Sequence, residues 1–546
     1  MWCVITVLVV VAAHQSIAHN LIVNLQSGQA QGTTISTPSG KTFYAWRGIP
    51  FAKPPLGDLR FKHPQRPEPW DGVLDATKDS KACLNSSYFG GEPRPTYGFS
   101  EDCLYVNVYA PIEPNSSVRL PVIFFIYGGA YYSGNSNFNL YDPTPFLEEG
   151  VIVVTFNYRL TIFGFLSTED QVLPGNNGLK DQWLALLWTK ENIHQFGGNP
   201  QDITLIGESV GAASVGYHIL SPMSKNLFGA AIMESGSSLL SLVQYNARQN
   251  AFDVARKVDS SISESSSSED VLKTLQATDA DLLVNVTSKL GITFAPILEV
   301  NNMYPFLTKP CYESLESGDF HQVPTLIGMN SEELIFMFPS IEEAKSTAAQ
   351  YDSNYTLLLP RNLQLKEGVN VDTLVQEIKQ QYVGNGTFVE DYGAIVRWTT
   401  DDVFRRSGFK QALLQSKYSP VYFYVFSFVG TISRRNPAIP GCGRVAHGDE
   451  LAYLFNISTK PLITDADFLT RQRTVKLWTN FVKFRNPTPD ESSELLQNVK
   501  WEQLNGQNQY LDIGENLELK YHFKSDLPAF WDYLWDTYVS RPYNSF

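Results

Sequence analysis

One stretch constrains this chain more than any other: Asp202-Ile-Thr-Leu-Ile-Gly-Glu-Ser-Val-Gly-Ala-Ala-Ser-Val-Gly-Tyr-His-Ile-Leu220. Ile203 to Ile206 is a short, apolar, β-branched run of the kind that forms a buried strand. The small residues after Gly211 read as a helix. Between them stands Gly207-Glu208-Ser209-Val210-Gly211, a G-x-S-x-G pentapeptide in the strand–turn–helix setting of a nucleophile elbow. Glycines at 207 and 211 let strand and helix approach without side chains between them. The turn lifts the Ser209 hydroxyl clear of the sheet, and amides at the helix start face it, where a developing oxyanion can be bound. Five residues with two wildcards also occur by chance, so the weight of the motif depends on the rest of the chain.

A serine nucleophile needs a base, an acid to orient that base and an oxyanion hole. After the apolar strand Val122 to Ile126 comes Tyr127-Gly128-Gly129-Ala130-Tyr131-Tyr132-Ser133-Gly134. Consecutive glycines after a strand make a loop whose amides can point at a ligand; an ordinary glycine turn is the plainer alternative. Gly328-Met-Asn-Ser-Glu-Glu333 follows another strand and can supply the acid. His447 lies in Gly443-Arg-Val-Ala-His-Gly-Asp-Glu-Leu-Ala-Tyr-Leu-Phe455. A lone histidine is more often structural, but the order serine, acid, histidine narrows the choice.

The surrounding pattern is of α/β type. Residues 21 to 50 alternate and contain Pro38-Ser39-Gly40, an antiparallel hairpin signal. Leu104 to Tyr109 is a strand, and Val122 to Ile126 and Val151 to Phe156 are apolar strands of the fully buried kind. Leu179 to Phe196 has helical periodicity and stops at Gly197-Gly198. Ala230 to Met233, Pro324 to Ile327 and Val421 to Phe428 are further strands, and Leu469 to Phe484 is an amphipathic helix. Strands alternating with helices predict a sheet with helices on both faces. Ser260 to Asp270 is serine-rich and reads as an exposed loop.

The chain has 546 residues, a length that would ordinarily imply about three or four domains. Its formal charge is -14, which argues against nucleic acid or an anionic membrane as partner. Met1 to Ala18 reads as a signal peptide, with an apolar stretch at Val4 to Ala13 and small residues at Ser16-Ile17-Ala18, so the mature chain is expected to begin near His19. No later run is long and apolar enough to span a membrane. Sequons at Asn85, Asn115, Asn285, Asn354, Asn385 and Asn456 then suggest a secreted, extracellular glycoprotein. Cys83 and Cys103 bracket a Gly-, Pro- and Ser-rich loop and are the expected disulfide in an oxidising compartment. Cys311 and Cys442 are left either paired or as buried thiols. No His/Cys/Asp/Glu cluster has zinc spacing, so neither metal nor cofactor is expected.

Longer motifs strengthen the reading: Gly48-Ile-Pro-Phe-Ala-Lys-Pro-Pro55, Glu101-Asp-Cys-Leu-Tyr-Val-Asn-Val108, Gly175-Asn-Asn-Gly-Leu-Lys-Asp-Gln182 and Phe196-Gly-Gly-Asn-Pro200. With the elbow they resemble type-B carboxylesterases of the cholinesterase-like group, most of all secreted insect carboxylesterases, from about residue 20 to the end. The resemblance implies an α/β-hydrolase fold: a large, mostly parallel twisted sheet with helices on both faces and a small N-terminal antiparallel sheet. It implies one domain over 19–546, a triad of Ser209, Glu333 and His447, and oxyanion amides at Gly129, Ala130 and Val210. It implies a small-molecule ester as the partner and an acyl-enzyme on Ser209. It also places Leu290 and Ile292 on the acyl side of the pocket, where cholinesterases carry bulky aromatics; an isolated Leu or Ile is otherwise a core residue. Ion pairs Arg60–Glu101 and Arg159–Asp181 are expected on the same ground.

Several positions depart from the family pattern. Val210, Ala212, Ala130 and Leu334 stand where relatives carry Ala, Gly, Gly and Gly. The stretch Leu84 to Asp102 holds Tyr88, Phe89, Tyr97 and Phe99 but no Trp, which argues against choline esters. Glu208 stands where juvenile hormone esterases usually have Gln. The preferred function is hydrolysis of small to medium apolar esters. Its rivals are a juvenile hormone esterase and a non-catalytic adhesion or binding protein on the same fold; the intact triad and the missing membrane segment weigh against the last.

Overall fold

A computed structural model describes residues 21–37, 40–85, 94–242, 244–299, 302–360, 363–490, 492–524, 526–543 and 545–546. The expected signal peptide, Cys3, Pro38-Ser39, Tyr88 and Phe89 lie outside them.

The dense apolar runs are the centre of an 11-stranded sheet. In order its strands are Leu517–Lys520, Tyr510–Ile513, Val421–Phe426, Thr325–Asn330, Ala230–Glu234, Gly198–Glu208, Leu120–Ile126, Ile152–Phe156, Tyr105–Ala110, Thr42–Pro50 and Thr33–Ser36. The seven from Tyr510–Ile513 through Ile152–Phe156 run parallel, and the outer strands pair antiparallel. Every residue of Ile152–Phe156, Ala230–Glu234 and Thr325–Asn330 is buried, the condition under which a strand is apolar throughout rather than alternating. A smaller sheet joins Ile22–Leu25 and Gly28–Gln31, antiparallel, to Val73–Asp75, parallel. That sheet is therefore mixed, because its third strand arrives from beyond the second hairpin.

Most predicted elements are present with their ends moved. The run at 179–196 divides into an α-helix, Asn177–Asn192, and a 3₁₀ turn, Ile193–Phe196, ended by Gly197 at φ +84°. The serine-rich stretch is only partly a loop. Ser267 and Asp270 form a reciprocal capping box that starts the helix Ser268–Ala277. One apolar core runs from Leu21 to Phe523. A second cluster, with Trp398, Trp531, Trp535 and Phe546, packs under helices inserted after the strand Thr325–Asn330 and at the C-terminus.

Both expected ion pairs are present. Arg60 Nε and Nη2 each donate to Glu101 at 2.6 Å. Arg159 and Asp181 are almost wholly buried, and Asp181 accepts from Arg159 Nε, Nη2 and backbone N at 2.8, 2.7 and 3.0 Å. Cys83 and Cys103 are joined; Cys311 and Cys442 are free thiols.

Candidate active site

The strand Gly198–Glu208 ends at Ser209, and the helix Val210–Leu220 begins directly after it. Ser209 has φ +59° and ψ −127°, a sparsely populated conformation for an L-residue and costly unless its surroundings impose it. They do so by close approach. A Cβ at 207 would lie 2.4 Å from the Gly211 carbonyl carbon, and one at 211 would lie 2.1 Å from the Ile126 oxygen. The Ser209 amide donates to Glu234 O at 2.8 Å and locks the turn to the neighbouring strand.

The glycine loop at 128–131 lies against this turn. A Cβ at Gly128 would sit 2.7 Å from Ser209 Cβ. Gly129, Ala130 and Tyr131 have φ of +109°, +55° and +62°, so the loop coils left-handed through three residues. Among the described residues the amides of Gly129, Ala130 and Val210 donate no intramolecular hydrogen bond. Ala130, Ser209 and Val210 border one cavity of about 1100 Å³. Leu290 and Ile292 also line it, Leu290 at 39% exposure, so neither is simply a core residue.

Of the two adjacent acids, Glu333 faces the imidazole. Its Oε2 lies 2.7 Å from His447 Nδ1, its Oε1 accepts from Asn330 N at 2.7 Å, and its carbonyl accepts from His447 N at 2.8 Å. It has no exposed surface. Glu332 turns the other way, half-buried against Gly443, and takes the Ser331 hydroxyl. Leu334, at the departure from the family pattern, lines the cavity beside them.

Sequence reasoning did not foresee what surrounds the histidine. Glu208 Oε1 lies 3.2 Å from His447 Nε2, and Ser209 Oγ is not hydrogen-bonded to that nitrogen here. Nucleophile–base contacts are commonly looser before substrate binds. Glu450 and Glu234 complete a group of four buried carboxylates. Glu450 accepts from Asn330 Nδ2, and Glu234 from the Trp478 indole. Burial pushes Glu208 and Glu234 up, and burial with the charges of Glu208 and Glu333 pushes Glu450 to about 8. Burial alone would push His447 down; Glu208, Glu333 and Glu450 outweigh it and raise the imidazole to about 9.

Phe404 stacks on the His447 ring with centroids 4.4 Å apart. It comes from a π-helical turn, Asp401–Arg405, that borders the cavity with Asp402, Val403 and Phe404. Nothing in the sequence signals that turn. Glu450 lies inside the histidine motif, but its sequence position alone gave it no role.

Four of the six sequons, at Asn115, Asn285, Asn354 and Asn385, present exposed asparagines. Asn456 is different: its amide donates to Asp142 at 3.1 Å and accepts from Arg471 at 2.5 Å. Asn85 is half-buried, and the rest of its sequon lies outside the described residues. No helix among the described residues is long and apolar enough to cross a membrane, and no metal-binding cluster is found among them.

Comparison with known proteins identifies the family and the fold. The model of the Carboxylesterase family matches residues 19–531. The chain is 33% identical over 513 residues to a juvenile hormone esterase of Tribolium castaneum, covering 89% of this chain and 86% of that one. It is 33% identical over 550 residues to an acylcarnitine hydrolase of Mus musculus, covering 94% and 91%. Its fold is similar to a crystal structure of juvenile hormone esterase from Manduca sexta with OTFP covalently attached, at TM-score 0.82, 27% identity and coverage of 94% and 99%.

Proposed function

This chain belongs to the carboxylesterase family and is a carboxylic ester hydrolase, and we propose that Ser209, His447 and Glu333 carry the reaction. The observation behind the proposal is the Glu333–His447 bond at 2.7 Å beside a strained Ser209 that opens onto the cavity. Ser209 Oγ attacks the ester carbonyl carbon as His447 Nε2 takes its proton. The carbonyl oxygen becomes an anion held by the amides of Gly129, Ala130 and Val210. Collapse expels the alcohol, which takes the proton from His447. Water then attacks the acyl-enzyme by the same route and releases the acid. Glu333 holds Nδ1–H, so that Nε2 is the free base. The face Phe404 offers to the ring and the negative charge of Glu208 both favour the imidazolium formed at each transition state.

The substrates in this reading are small to medium apolar esters. The aliphatic side chains of Leu290, Ile292, Leu334 and Val210 in the wall support it. A longer terpenoid hormone ester is the second reading, favoured by the cavity volume and the juvenile hormone esterases among the relatives. Residues 19–546 act as a single catalytic domain in this proposal, supported by one core from Leu21 to Phe523 and a site drawn from 129 to 447. Export to the extracellular space is also part of it, supported by the Cys83–Cys103 bond.

The test is hydrolysis of nitrophenyl acetate, butyrate and hexanoate and of juvenile hormone by the parent protein and Ser209→Ala. Loss of all hydrolysis in the variant is expected. Activity retained by Ser209→Ala would overturn the assignment. A kcat/KM for juvenile hormone far above every nitrophenyl ester would select the second reading.

A further inference from the structure

The oxyanion hole is assembled from two separate pieces of chain: the loop at 129–130 and the first residue of the helix Val210–Leu220. Hydrogen bonds to a developing anion are sensitive to fractions of an ångström, so the two pieces must be held in register. Backbone packing brings them together, but one side chain spans them. Tyr131 is 1% exposed, and its phenol oxygen lies 3.2 Å from the Val210 carbonyl and 3.2 Å from Ser214 Oγ. Ser214 Oγ itself donates to Val210 O at 2.8 Å and accepts from Gln182 Nε2 at 3.2 Å. At its other end Tyr131 is fixed by its backbone. Its carbonyl accepts from Thr161 N at 2.8 Å, and Thr161 holds φ +53°, an outlier for a β-branched residue. The ring packs on Phe165 with centroids 4.7 Å apart.

We propose that Tyr131 is a positioning residue that ties the left-handed oxyanion loop to Val210, so that all three amides converge on the same oxygen. Its phenol binds the residue that contributes one donor; its backbone continues directly from the residue that contributes another. A loop with three successive positive φ values relaxes readily unless something outside it imposes its shape, and this tie does so at the helix. The inference rests on the oxyanion assignment made above.

Tyr131→Phe keeps the ring and its contact with Phe165 while removing only the oxygen. The expected result is a kcat about 10-fold lower at unchanged KM, below the 10²–10³-fold lost when an oxyanion donor is deleted outright. Inhibition by a trifluoromethyl ketone, whose adduct with Ser209 is a tetrahedral oxyanion, should weaken by the same factor. A merely structural phenol would shift the denaturation midpoint and leave both readouts in place. Ser214→Ala removes the second partner; it should lower kcat less, and the double variant should match Tyr131→Phe within twofold. A kcat for Tyr131→Phe within twofold of the parent, a change in KM alone, or full additivity with Ser214→Ala would overturn the tie. Ser209→Ala is the control. If it stays active the underlying assignment fails, whatever Tyr131 does.

Discussion

The two neighbouring acids at 332 and 333 allow a test that the geometry makes nearly all-or-none. Both Glu333 oxygens accept from N–H groups: Asn330 N at Oε1 and His447 Nδ1 at Oε2, each at 2.7 Å. Glu333→Gln keeps the shape but offers one oxygen and one NH₂. If the NH₂ faced Asn330 N, two buried donors would oppose each other, at a cost of about 1–3 kcal/mol for each unsatisfied group. The backbone amide cannot change its protonation, whereas the imidazole can. The oxygen should therefore stay on Asn330, and the NH₂ should turn to Nδ1. Nδ1 then becomes an acceptor and the ring proton moves to Nε2, the atom that must receive the Ser209 proton. The corresponding tautomer fault in serine proteases costs about 10⁴-fold in kcat, or roughly 5.5 kcal/mol of barrier. Glu332→Gln disturbs only a half-buried contact with Ser331 and Gly443 and should stay within a few-fold of the parent. The assay is turnover of one nitrophenyl ester by both purified variants, with circular dichroism to establish that each is folded. Glu333→Gln within 10-fold of the parent, or Glu332→Gln as the inactive variant, would refute the reasoning.

His447 must be neutral to accept a proton, and its raised pKa of about 9 makes kcat/KM climb as pH rises from 7. Removing the counter-charge on the Nε2 side with Glu208→Gln should move that limb down by about 1–2 pH units and lower the alkaline plateau, read from a kcat/KM–pH profile; an unmoved limb contradicts it. Asp181→Asn leaves Arg159 buried without its counter-charge. It should cost about 3–5 kcal/mol, seen as a lower denaturant midpoint, whereas breaking the Arg60–Glu101 pair should cost less. Ile292→Phe should narrow the acyl side of the cavity. The parent is expected to turn over butyrate faster than acetate and the variant to reverse that order; rates already falling from acetate to hexanoate in the parent would remove the argument. Peptide mapping of the protein expressed through a eukaryotic secretory pathway should find glycans among Asn115, Asn285, Asn354 and Asn385 but none on Asn456, whose amide is engaged with Asp142 and Arg471.

What could be read from the sequence was what short-range chemistry dictates. The elbow depends on glycines that admit no Cβ, and the central strands depend on burial on both faces; both leave local marks. Glu333 over Glu332 came from the family resemblance and not from local chemistry, and the structure turns the two carboxylates in different directions. The cavity wall left weaker marks. Phe404 reaches His447 only because residues 401–405 wind as a π-turn, which no periodicity announces. Glu234 and Glu450 join the site through strand order and a neighbouring loop, over sequence separations of 25 residues or more from Ser209. The serine-rich stretch misled because composition outweighed the capping pair hidden at its end.

The chemistry and the selectivity of this enzyme occupy different parts of the chain. The proposed nucleophile Ser209 and acid Glu333 sit where buried parallel strands end, and the proposed base His447 sits on a loop packed against them, where a change of one atom disturbs a close-packed scaffold. Much of the cavity wall comes instead from inserted helices and loops: Leu290, Met337 and Leu357 are 39–57% exposed. Substitutions there cost little folding free energy yet alter what the nucleophile meets. Under selection, such a molecule can exchange one ester for another by drifting at its rim while its reactive centre stays unchanged. Libraries meant to redirect it belong at those rim positions, and thermostabilising changes belong almost anywhere else.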